Sequence, residues 1–574
     1  MTRDPTTYPD PDRFLPERFL QVDADTPAQF DPMKLIFGFG RRICPGRTFA
    51  DSYLWLTAAH LLATMVVCKA RNAAGEEITP AADFADGFVS RPPSTAFPPT
   101  VDLGYAQYQG VADSTTNITS FLGIRYASPP VGNLRWAEPQ PPPTLSGVQQ
   151  AKEQPNECYQ GVSIDIVTDS LGKRAVSESE DCLFLKYVVG SASMFNGADL
   201  IMHSDRGLIV VIIQYRLGLF GFLAGKAIKA GGALNAGLLD QNYALQWVQS
   251  HISTFGGDPS KVTIWGESAG AGSVLQHLVA HGGNTQPPLF RAAMTSSTFL
   301  PSQYNYNDRI PELLYNDIVA GAECGSSSDT LSCLRAANVN RLQTLNLNII
   351  SKAFYGTTVF VPVVDGTFII ERPTVTIARG RLNTEVFLAV TNVHEGNILV
   401  NKSLTMNVSD YVSTLFPDVE PWQAALTTPL YQDLGTNVEQ ASYAMGESIF
   451  VCPTYYLLHA LGTKAWKGEF AIPPAFHGMD LAYYFTSHSP AYDNSEFITA
   501  FSNGFLATAI SMDPNAKYNS SNITPNWNVW APGHTEMMFN KTEGGAPIVY
   551  PYSTDDALLE RCQYWLSISA NTAQ

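Results

Sequence analysis

The stretch KVTIWGESAGAGSVLQHLV, residues 261 to 279, decides the fold of this chain. Its opening KVTIW is rich in β-branched and aromatic residues, which is typical of a buried strand, and the apolar part after the glycines indicates a helix. Between them, Ser268 is the centre of a G-x-S-x-G motif whose outer glycines are Gly266 and Gly270. Glycines at these positions permit the sharp strand–turn–helix bend that raises a serine hydroxyl above a sheet. The stretch therefore predicts a nucleophilic serine.

The segments on both sides of this motif repeat an alternation of strands and helices. GLIVVIIQYRLG (207 to 218) is a continuous apolar run, as expected for a strand that is buried on both faces of a parallel sheet. NAGLLDQNYALQWVQSHISTFG (235 to 256) has the apolar spacing of a helix, and EVFLAVT (385 to 391) predicts another buried strand. The pattern predicts an α/β fold with a mostly parallel sheet.

A nucleophilic serine needs a base, and the base needs an orienting acid that comes before it in the chain order Ser, Asp or Glu, His. Glu395 directly follows the strand at 385 to 391, and His477 lies in a loop with glycine, in PPAFHGMDLAYYF. His394 and His534 are rival candidates for the base. The N–H of Ala269 opens the helix after the serine, so it is the candidate donor to an oxyanion.

The bulk composition excludes several classes of function. The 574 residues carry a net charge of −17, whereas nucleic acids and anionic membranes require a basic surface. The sequence has no uninterrupted apolar run long enough to span a membrane. The segment YLWLTAAHLLATMVV (53 to 67) is interpreted as a buried helix, because it lies too far from Met1 to be a signal peptide.

Eight cysteines and six N-x-S/T sequons occur in the chain, and all the sequons lie after residue 110. No C-x-x-C pair is present, so a zinc ribbon or a thioredoxin motif is not expected. Spaced cysteines together with sequons favour a secreted, disulfide-bonded region, although no signal peptide precedes it. The sequons are at Asn117, Asn401, Asn407, Asn519, Asn522 and Asn540.

The first 98 residues follow a different pattern. RDPTTYPDPDRFLPERFL (3 to 20) and FGFGRRICPGRTFA (37 to 50) resemble the C-terminal end of the cytochrome P-450 family. The resemblance implies that Cys44 is a haem iron ligand, but the family's E-x-x-R helix and distal haem wall would lie upstream of residue 1. Residues 1–98 are therefore interpreted as a truncated, vestigial haem-thiolate remnant that is not expected to fold alone. Haem is implied by this motif only.

The remainder of the chain resembles the type-B carboxylesterase/lipase family. The resemblance is carried by SFLGIRYASPPVGNLRWAEPQPP (120 to 142), SEDCLFL (179 to 185), YRLGLFGFL (215 to 223) and the run from 235 to 270. It implies an α/β-hydrolase domain over residues 99–574, secretion, and a small-molecule or lipid ester as substrate. It implies no metal or cofactor, and nothing in the sequence specifies an oligomeric state.

The same resemblance assigns roles to individual residues. It implies a Ser268–Glu395–His477 triad, with glutamate as the acid. It also implies three disulfide bonds and leaves Cys44 and Cys68, both in the remnant, unpaired. The implied disulfide pairs are Cys158–Cys182, Cys324–Cys333 and Cys452–Cys562.

One family feature is missing from the sequence. A strand that ends in an H-G-G-G turn should follow SEDCLFL, but Lys186 is succeeded at once by Tyr187 and the GSAS segment. The only HGG is His281–Gly283, after the nucleophile helix. Loss of one oxyanion donor typically costs ~10²–10³ in turnover, and loss of a central strand strips both neighbours of ladder partners. We therefore predict that this chain is weakly active or inactive.

Three functions compete at this stage. Serine ester hydrolysis through an acyl-enzyme is the leading hypothesis. A non-catalytic, esterase-like binding protein is the second, although such proteins usually lose the nucleophile and this chain retains all three triad residue types. Haem-dependent monooxygenation from the Cys44 motif is the third.

Overall fold

The structure is a computed structural model that describes residues 99–161, 177–185, 196–531 and 533–574. These residues belong to one compact unit, Ala96–Gln574. The haem-like Cys44, the helix expected at 53 to 67 and the Lys186–Tyr187 junction lie outside the described residues.

Seven short strands precede the central sheet. They form three small sheets, in which β1, β2 and β6 are one group, β3 pairs with β4, and β5 pairs with β7. The strands are β1 (Thr100–Asp102), β2 (Gln107–Gln109), β3 (Val111–Asp113), β4 (Ile118–Ser120), β5 (Ile124–Arg125), β6 (Val148–Gln150) and β7 (Phe184–Leu185).

The central sheet has six strands in the order β13-β12-β11-β10-β9-β8. Strands β8 to β12 are parallel, and β13 is antiparallel to β12. The carboxyl ends of the parallel strands therefore meet at one edge of the sheet, where α/β proteins place their sites. The strands are β8 (Thr263–Glu267), β9 (Ala292–Ser296), β10 (Val386–Asn392), β11 (Ala465–Phe470), β12 (Thr535–Lys541) and β13 (Pro547–Ser553).

Helices of four to 17 residues surround this sheet, and a π-helical turn, Glu447–Val451, joins two of them. None of the described helices is long and apolar enough to cross a membrane. The helices are α1 (Gly197–His203), α2 (Gly218–Phe222), α3 (Lys226–Gly231), α4 (Ala236–His251), α5 (Ala269–Gly283), α6 (Arg309–Gly321), α7 (Thr330–Ala336), α8 (Val339–Ser351), α9 (Pro373–Ala378), α10 (Val408–Leu415), α11 (Pro421–Ala425), α12 (Thr427–Tyr431), α13 (Asn437–Gly446), α14 (Cys452–Leu461), α15 (Leu481–Tyr484), α16 (Ser495–Ser511) and α17 (Asp556–Ser567).

Strand β10 shows how the sheet divides the core into two layers. All seven of its residues are buried, because its apolar run is covered on both faces. Phe387 and Ala389 pack into one hydrophobic cluster, and Leu388 and Val390 pack into another. This alternation is the two-residue period of a strand. The predicted strand at 385 to 391 and the mostly parallel sheet are thus present in the structure.

The strand expected at 207 to 218 is absent, and that prediction was wrong. The run has no regular secondary structure from Gly207 to Leu217, and α2 begins at Gly218. Over residues 208 to 216, the one backbone–backbone hydrogen bond among the described residues joins Gln214 N–H to the Phe184 carbonyl at 2.9 Å. An apolar run becomes a strand only where neighbours supply a hydrogen-bond ladder. Ile209 is accordingly 44% exposed rather than buried in a sheet.

Strand β8, which leads to Ser268, also has few strand neighbours. Among the described strands it pairs with β9 alone, so it ends the sheet. Thr263, Ile264 and Trp265 are only partly buried, whereas every residue of β10 is buried. The sheet is thus least complete beside the nucleophile strand.

Three disulfide bonds join the expected cysteine pairs, Cys158–Cys182, Cys324–Cys333 and Cys452–Cys562. The last pair connects α14 to α17 across 110 residues of sequence. It ties the C-terminal helix to the helix that packs behind β10 and β11.

Candidate active site

The nucleophile turn lies where β8 ends at Glu267 and α5 begins at Ala269. Ser268 has φ 53° and ψ −121°, a conformation that costs free energy for a residue with a side chain. A Cβ at Gly266 would lie 2.3 Å from the backbone carbonyl carbon of Gly270, so only glycine fits at position 266. Gly270 itself has open space beside it. The turn thus requires glycine at position 266, because the backbone of Gly270 lies against it.

The structure brings the three predicted catalytic residues together. Ser268 Oγ lies 2.8 Å from His477 Nε2, and His477 Nδ1 lies 2.6 Å from Glu395 Oε2. The carboxyl group of Glu395 is buried, and the His477 side chain is 9% exposed. Both distances are those of hydrogen bonds, so the three side chains form a continuous path.

The rival histidines lie elsewhere. His394 donates its backbone N–H to the Ala475 carbonyl, which aligns the loop that carries His477 with the loop that carries Glu395. The ring of His534 stacks on the buried Trp530 with ring centroids 4.5 Å apart. His477 is therefore the histidine whose ring faces Ser268.

Two groups hold the acid of this path in place. Ser297 Oγ donates to Glu395 Oε1 at 2.7 Å, and the backbone N–H of Asn392 donates to the same oxygen at 2.7 Å. Ser297 has φ 57°, a strained conformation that follows directly after β9. With Oε1 occupied by these donors, Oε2 is directed to His477.

Sequence reasoning missed two further carboxyl groups near the imidazole. Glu267 Oε1 lies 3.5 Å from His477 Nε2, and burial raises the pKa of Glu267 to about 8. Asp480 accepts a hydrogen bond from Asn392 Nδ2 at 3.0 Å, and burial raises the pKa of Asp480 to about 6. The only available sequence signal was their position, one residue before Ser268 and three residues after His477.

The electrostatics of His477 follow from this arrangement. Burial by itself lowers the pKa of an imidazole, but the Glu395 carboxylate outweighs it and raises the pKa of His477 to about 9. The site therefore favours the imidazolium that forms when the ring accepts a proton from Ser268.

The candidate oxyanion donors are few among the described residues. Ala269 opens α5, so its N–H has no helical carbonyl partner and lies beside the nucleophile. The regular part of α5 runs from Ala269 to Val279, about 15 Å of helix, and the backbone leaves helical geometry at Ala280, so His281 and the following glycines lie beyond the end of the helix that is remote from Ser268. The HGG sequence at 281 to 283 cannot replace the missing glycine turn.

An apolar cavity begins two aromatic rings away from His477. The ring of Phe450 lies 4.5 Å from the ring of His477 and 5.5 Å from the ring of Phe299. Phe299 lines a cavity of about 250 Å³. This cavity is therefore close enough to hold part of a substrate.

The described residues contain no cluster of three or more histidine, cysteine or acidic side chains that could hold a metal ion. Cys44 lies outside the described residues, so the haem-like motif has no described contacts.

The class of serine hydrolases with the α/β-hydrolase fold is defined by three residues in chain order. These are a serine on a strained strand–helix turn, a buried acid, and a histidine after a later strand. The comparisons refine this assignment. The carboxylesterase family model matches residues 98–186 and 186–544, so the chain belongs to the carboxylesterase family. A cytochrome P450 family model matches residues 1–84.

Individual relatives agree with the family. Carboxylesterase patB of Aspergillus clavatus is 28% identical, over 82% of this chain and 96% of its own length. Secreted lipase 1 of Botryotinia fuckeliana is 26% identical, over 78% of this chain and 90% of its own length. The crystal structure of Aspergillus niger EstA superposes with a TM-score of 0.73 at 27% identity and covers 84% of this chain and 100% of that chain. The predicted α/β-hydrolase fold is confirmed.

Proposed function

We propose that Ser268, His477 and Glu395 form the catalytic triad of a secreted carboxylic ester hydrolase whose activity is impaired in this chain. The observation that carries the proposal is the hydrogen-bond path from Ser268 Oγ through both ring nitrogens of His477 to the buried Glu395.

The reaction proceeds in two halves. Ser268 Oγ attacks the ester carbonyl carbon while His477 Nε2 takes the hydroxyl proton, and the Glu395 carboxylate stabilises the imidazolium at Nδ1. The tetrahedral intermediate collapses, the ester C–O bond breaks, and the imidazolium protonates the leaving alcohol. Water then attacks the acyl-enzyme with the same histidine as base, which releases the acid and restores Ser268.

The substrate has an apolar acyl group. The cavity of about 250 Å³ near Phe299 is walled by aliphatic and aromatic side chains, including Leu314 and Val361. Such a cavity favours an aliphatic or aromatic acyl group through burial of apolar surface.

The impairment follows from the oxyanion hole. The two segments of the family match meet at residue 186, where the glycine-turn strand is missing from the sequence. The incomplete pairing of β8 and of residues 207 to 218 supports the same proposal. Ala269 N–H is then the one donor that we assign, and removal of a single donor typically lowers turnover by ~10²–10³.

Secretion would expose the sequons to glycosylation, and the structure distinguishes among them. Asn117, Asn401, Asn407 and Asn519 are exposed, so we propose that these four carry glycans in a secreted form. Asn522 is 7% exposed, and this burial is incompatible with a glycan on its side chain in the folded structure.

A fluorophosphonate probe tests the triad. We expect intact-protein mass spectrometry to show slow addition of one probe molecule, peptide mapping to place it on Ser268, and Ser268→Ala to abolish it. Labelling of another residue, or equal labelling of Ser268→Ala, would refute the assignment.

A restored chain tests the impairment. A strand that ends in an H-G-G-G turn would be inserted between Lys186 and Tyr187, and hydrolysis of a p-nitrophenyl ester would be measured for both chains. We expect at least a ~100-fold gain in turnover for the restored chain. If the unmodified chain hydrolyses the ester as fast as the restored one, the missing turn is not required.

A further inference from the structure

The run LIVVII at 208 to 213 is apolar but is not buried. All six side chains are aliphatic, yet none of these residues is buried in the structure, and Ile209 is 44% exposed. Strand β10, VFLAVTN, is also rich in apolar residues and is buried at every position. Contiguous apolar surface that remains accessible in a folded protein is typical of an interaction site.

The side chains of this run alternate between two layers of the core. Leu208 and Val210 pack against the cluster that includes the aromatic residues of α16, whereas Val211 and Ile213 pack against the cluster that includes the second half of α4. Residues two apart thus share a face, which is the period of a strand. The run therefore has the side-chain arrangement of a strand that lies between two helical layers.

Strand β8 lies between the same two layers. Trp265 packs against the cluster of α16, where its ring centroid lies 5.5 Å from that of Phe505. Val262, directly before the strand, packs against the cluster of α4. Since β8 ends the central sheet, the run lies beyond its free edge and in the plane of the sheet, but the described residues form no bridge between the two.

The backbone of the run has hydrogen-bonding groups on the side away from β7. Gln214 N–H donates to the Phe184 carbonyl, and the Gln214 carbonyl accepts the Tyr126 hydroxyl at 2.6 Å, so both groups of Gln214 are directed to the side of β5 and β7. Successive residues of a strand direct their N–H and C=O to alternate sides. Ile209 and Ile213 accordingly direct theirs to the opposite side, where the structure describes no backbone partner for them.

These two edges bound a space, the strand slot, with residues 208 to 213 on one side and β8 (Thr263–Glu267) on the other. We infer that the strand slot is a docking site for one extended strand of a different protein. The layers of α16 and α4 require this strand to be apolar on both faces. Its N–H and C=O groups must form the ladder, so proline is excluded from the paired part. Because β8 has five residues, the paired part has about five.

A strand fits this slot better than other apolar ligands do. An aliphatic ligand would cover the side chains but leave the N–H and C=O groups of both edges without partners, which is costly in an apolar layer. A strand satisfies both requirements. Because β8 ends directly before Ser268, a strand that enters parallel to β8 ends beside the nucleophile turn. Docking requires neither the triad nor an ester, so the inference goes beyond ester hydrolysis.

Amide hydrogen exchange of the full chain with an added peptide tests the inference. The peptide KKVFLAVT repeats the sequence of 386 to 391, which forms a buried strand in this fold, after two lysines that make it soluble. We expect it to slow exchange about tenfold or more in the segments 208 to 213 and 263 to 267, because ladder formation closes their amides. Exchange in 386 to 392 should not change.

The peptide KKVFLPVT is the matched control, since it keeps the charge and the apolar character but lacks one N–H and cannot form a continuous ladder. It should leave exchange in both segments unchanged. Equal slowing by the two peptides would show nonspecific apolar contact and would overturn the inference. So would the absence of any slowing by KKVFLAVT.

Two further outcomes would also contradict it. Equal protection of β13, at the opposite edge of the sheet, would mean that the peptide pairs with any free edge. Protection of 208 to 213 and 263 to 267 that increases with protein concentration in the absence of peptide would mean that a second copy of this chain occupies the slot in place of a different protein.

Discussion

The carboxyl group of Glu267 lies 3.5 Å from His477 Nε2, the same nitrogen that faces Ser268 Oγ at 2.8 Å. The imidazole thus has one carboxyl group at each of its nitrogens, since Glu395 lies 2.6 Å from Nδ1. Burial raises the pKa of Glu267 to about 8, which keeps it largely protonated near neutral pH. One buried carboxylate, that of Glu395, then faces the imidazole, and the second carboxyl group, that of Glu267, is uncharged.

Glu267→Gln should stabilise the protein at alkaline pH. The pKa of Glu267 is higher in the folded chain than in the unfolded chain, so the unfolded chain releases this proton first as the pH rises above ~4.5. Stability is therefore lost between about pH 4.5 and pH 8, and glutamine avoids that loss. We expect the free energy of unfolding to rise by roughly 2–4 kcal/mol at about pH 9 and to be unchanged at about pH 4.

Urea titrations at the two pH values provide the measurement. Glu560→Gln, at an exposed position of α17, is the matched control and should have no effect at either pH. An equal gain at both pH values would show that packing, not ionisation, explains the result.

The Glu395 carboxylate should set the pH at which Ser268 reacts. Neutral His477 is the base, and Glu395 raises the pKa of His477 to about 9, so fluorophosphonate labelling should accelerate with rising pH into the alkaline range. Glu395→Gln removes the charge and retains a hydrogen-bonding side chain. We expect the inflection of the labelling rate to move to lower pH, with a lower rate on the alkaline plateau. An unchanged inflection would mean that Glu395 does not control the base.

The approach of Ser268 and Glu395 to one edge of the sheet was predictable because each residue follows a run with a strong strand signal. Ser268 follows KVTIW and Glu395 follows EVFLAVT, and both runs form parallel strands whose carboxyl ends meet at one edge of the sheet. His477 was not separable from His394 and His534 by position alone. Its selection depended on the resemblance to a family.

The features that the sequence did not predict depend on contacts distant in the chain. The hydroxyl of Ser297 reaches Glu395 only because a strained residue follows β9. The run at 207 to 218 has the composition of a buried strand. Composition shows that a segment suits a sheet, but it does not show whether neighbouring strands are available to pair with it. Among the described residues, no strand pairs with this run.

Removal of one partner of the buried ion pair between Lys467 and Glu536 should destabilise the protein more than removal of both charges. Lys467 Nζ lies 2.9 Å from Glu536 Oε2, and both side chains are fully buried. Lys467→Met leaves the Glu536 charge unpaired and should cost about 3–5 kcal/mol in the free energy of unfolding. The double variant Lys467→Met, Glu536→Gln should recover most of this loss. Urea denaturation of the three proteins measures it, and a double variant as unstable as the single one would contradict the account.

Two of the three disulfides close loops of very different length and should contribute unequally to the free energy of unfolding. Cys452–Cys562 closes 110 residues, whereas Cys324–Cys333 closes nine. The restriction of the unfolded chain grows with loop length, so replacement of both cysteines by serine should cost about 4–5 kcal/mol for the long loop and about 2–3 kcal/mol for the short one. Unfolding free energies of the two double-serine variants give the comparison. The reverse order would show that native packing around the bonds, not chain entropy, dominates.

The incomplete pairing beside the nucleophile should be visible in amide hydrogen exchange. Strand β10 has ladder partners on both sides, whereas β8 pairs only with β9 among the described strands, and residues 207 to 216 form no strand. Because unpaired strand amides open readily, we expect peptides that cover 207 to 216 and 263 to 267 to exchange much faster than those that cover 386 to 392. Insertion of a strand that ends in an H-G-G-G turn between Lys186 and Tyr187 should slow exchange in both segments and leave β10 unchanged. Equal protection of β8 and β10 in the unmodified chain would mean that this edge is already covered, and the proposal that a missing strand impairs activity would then fail.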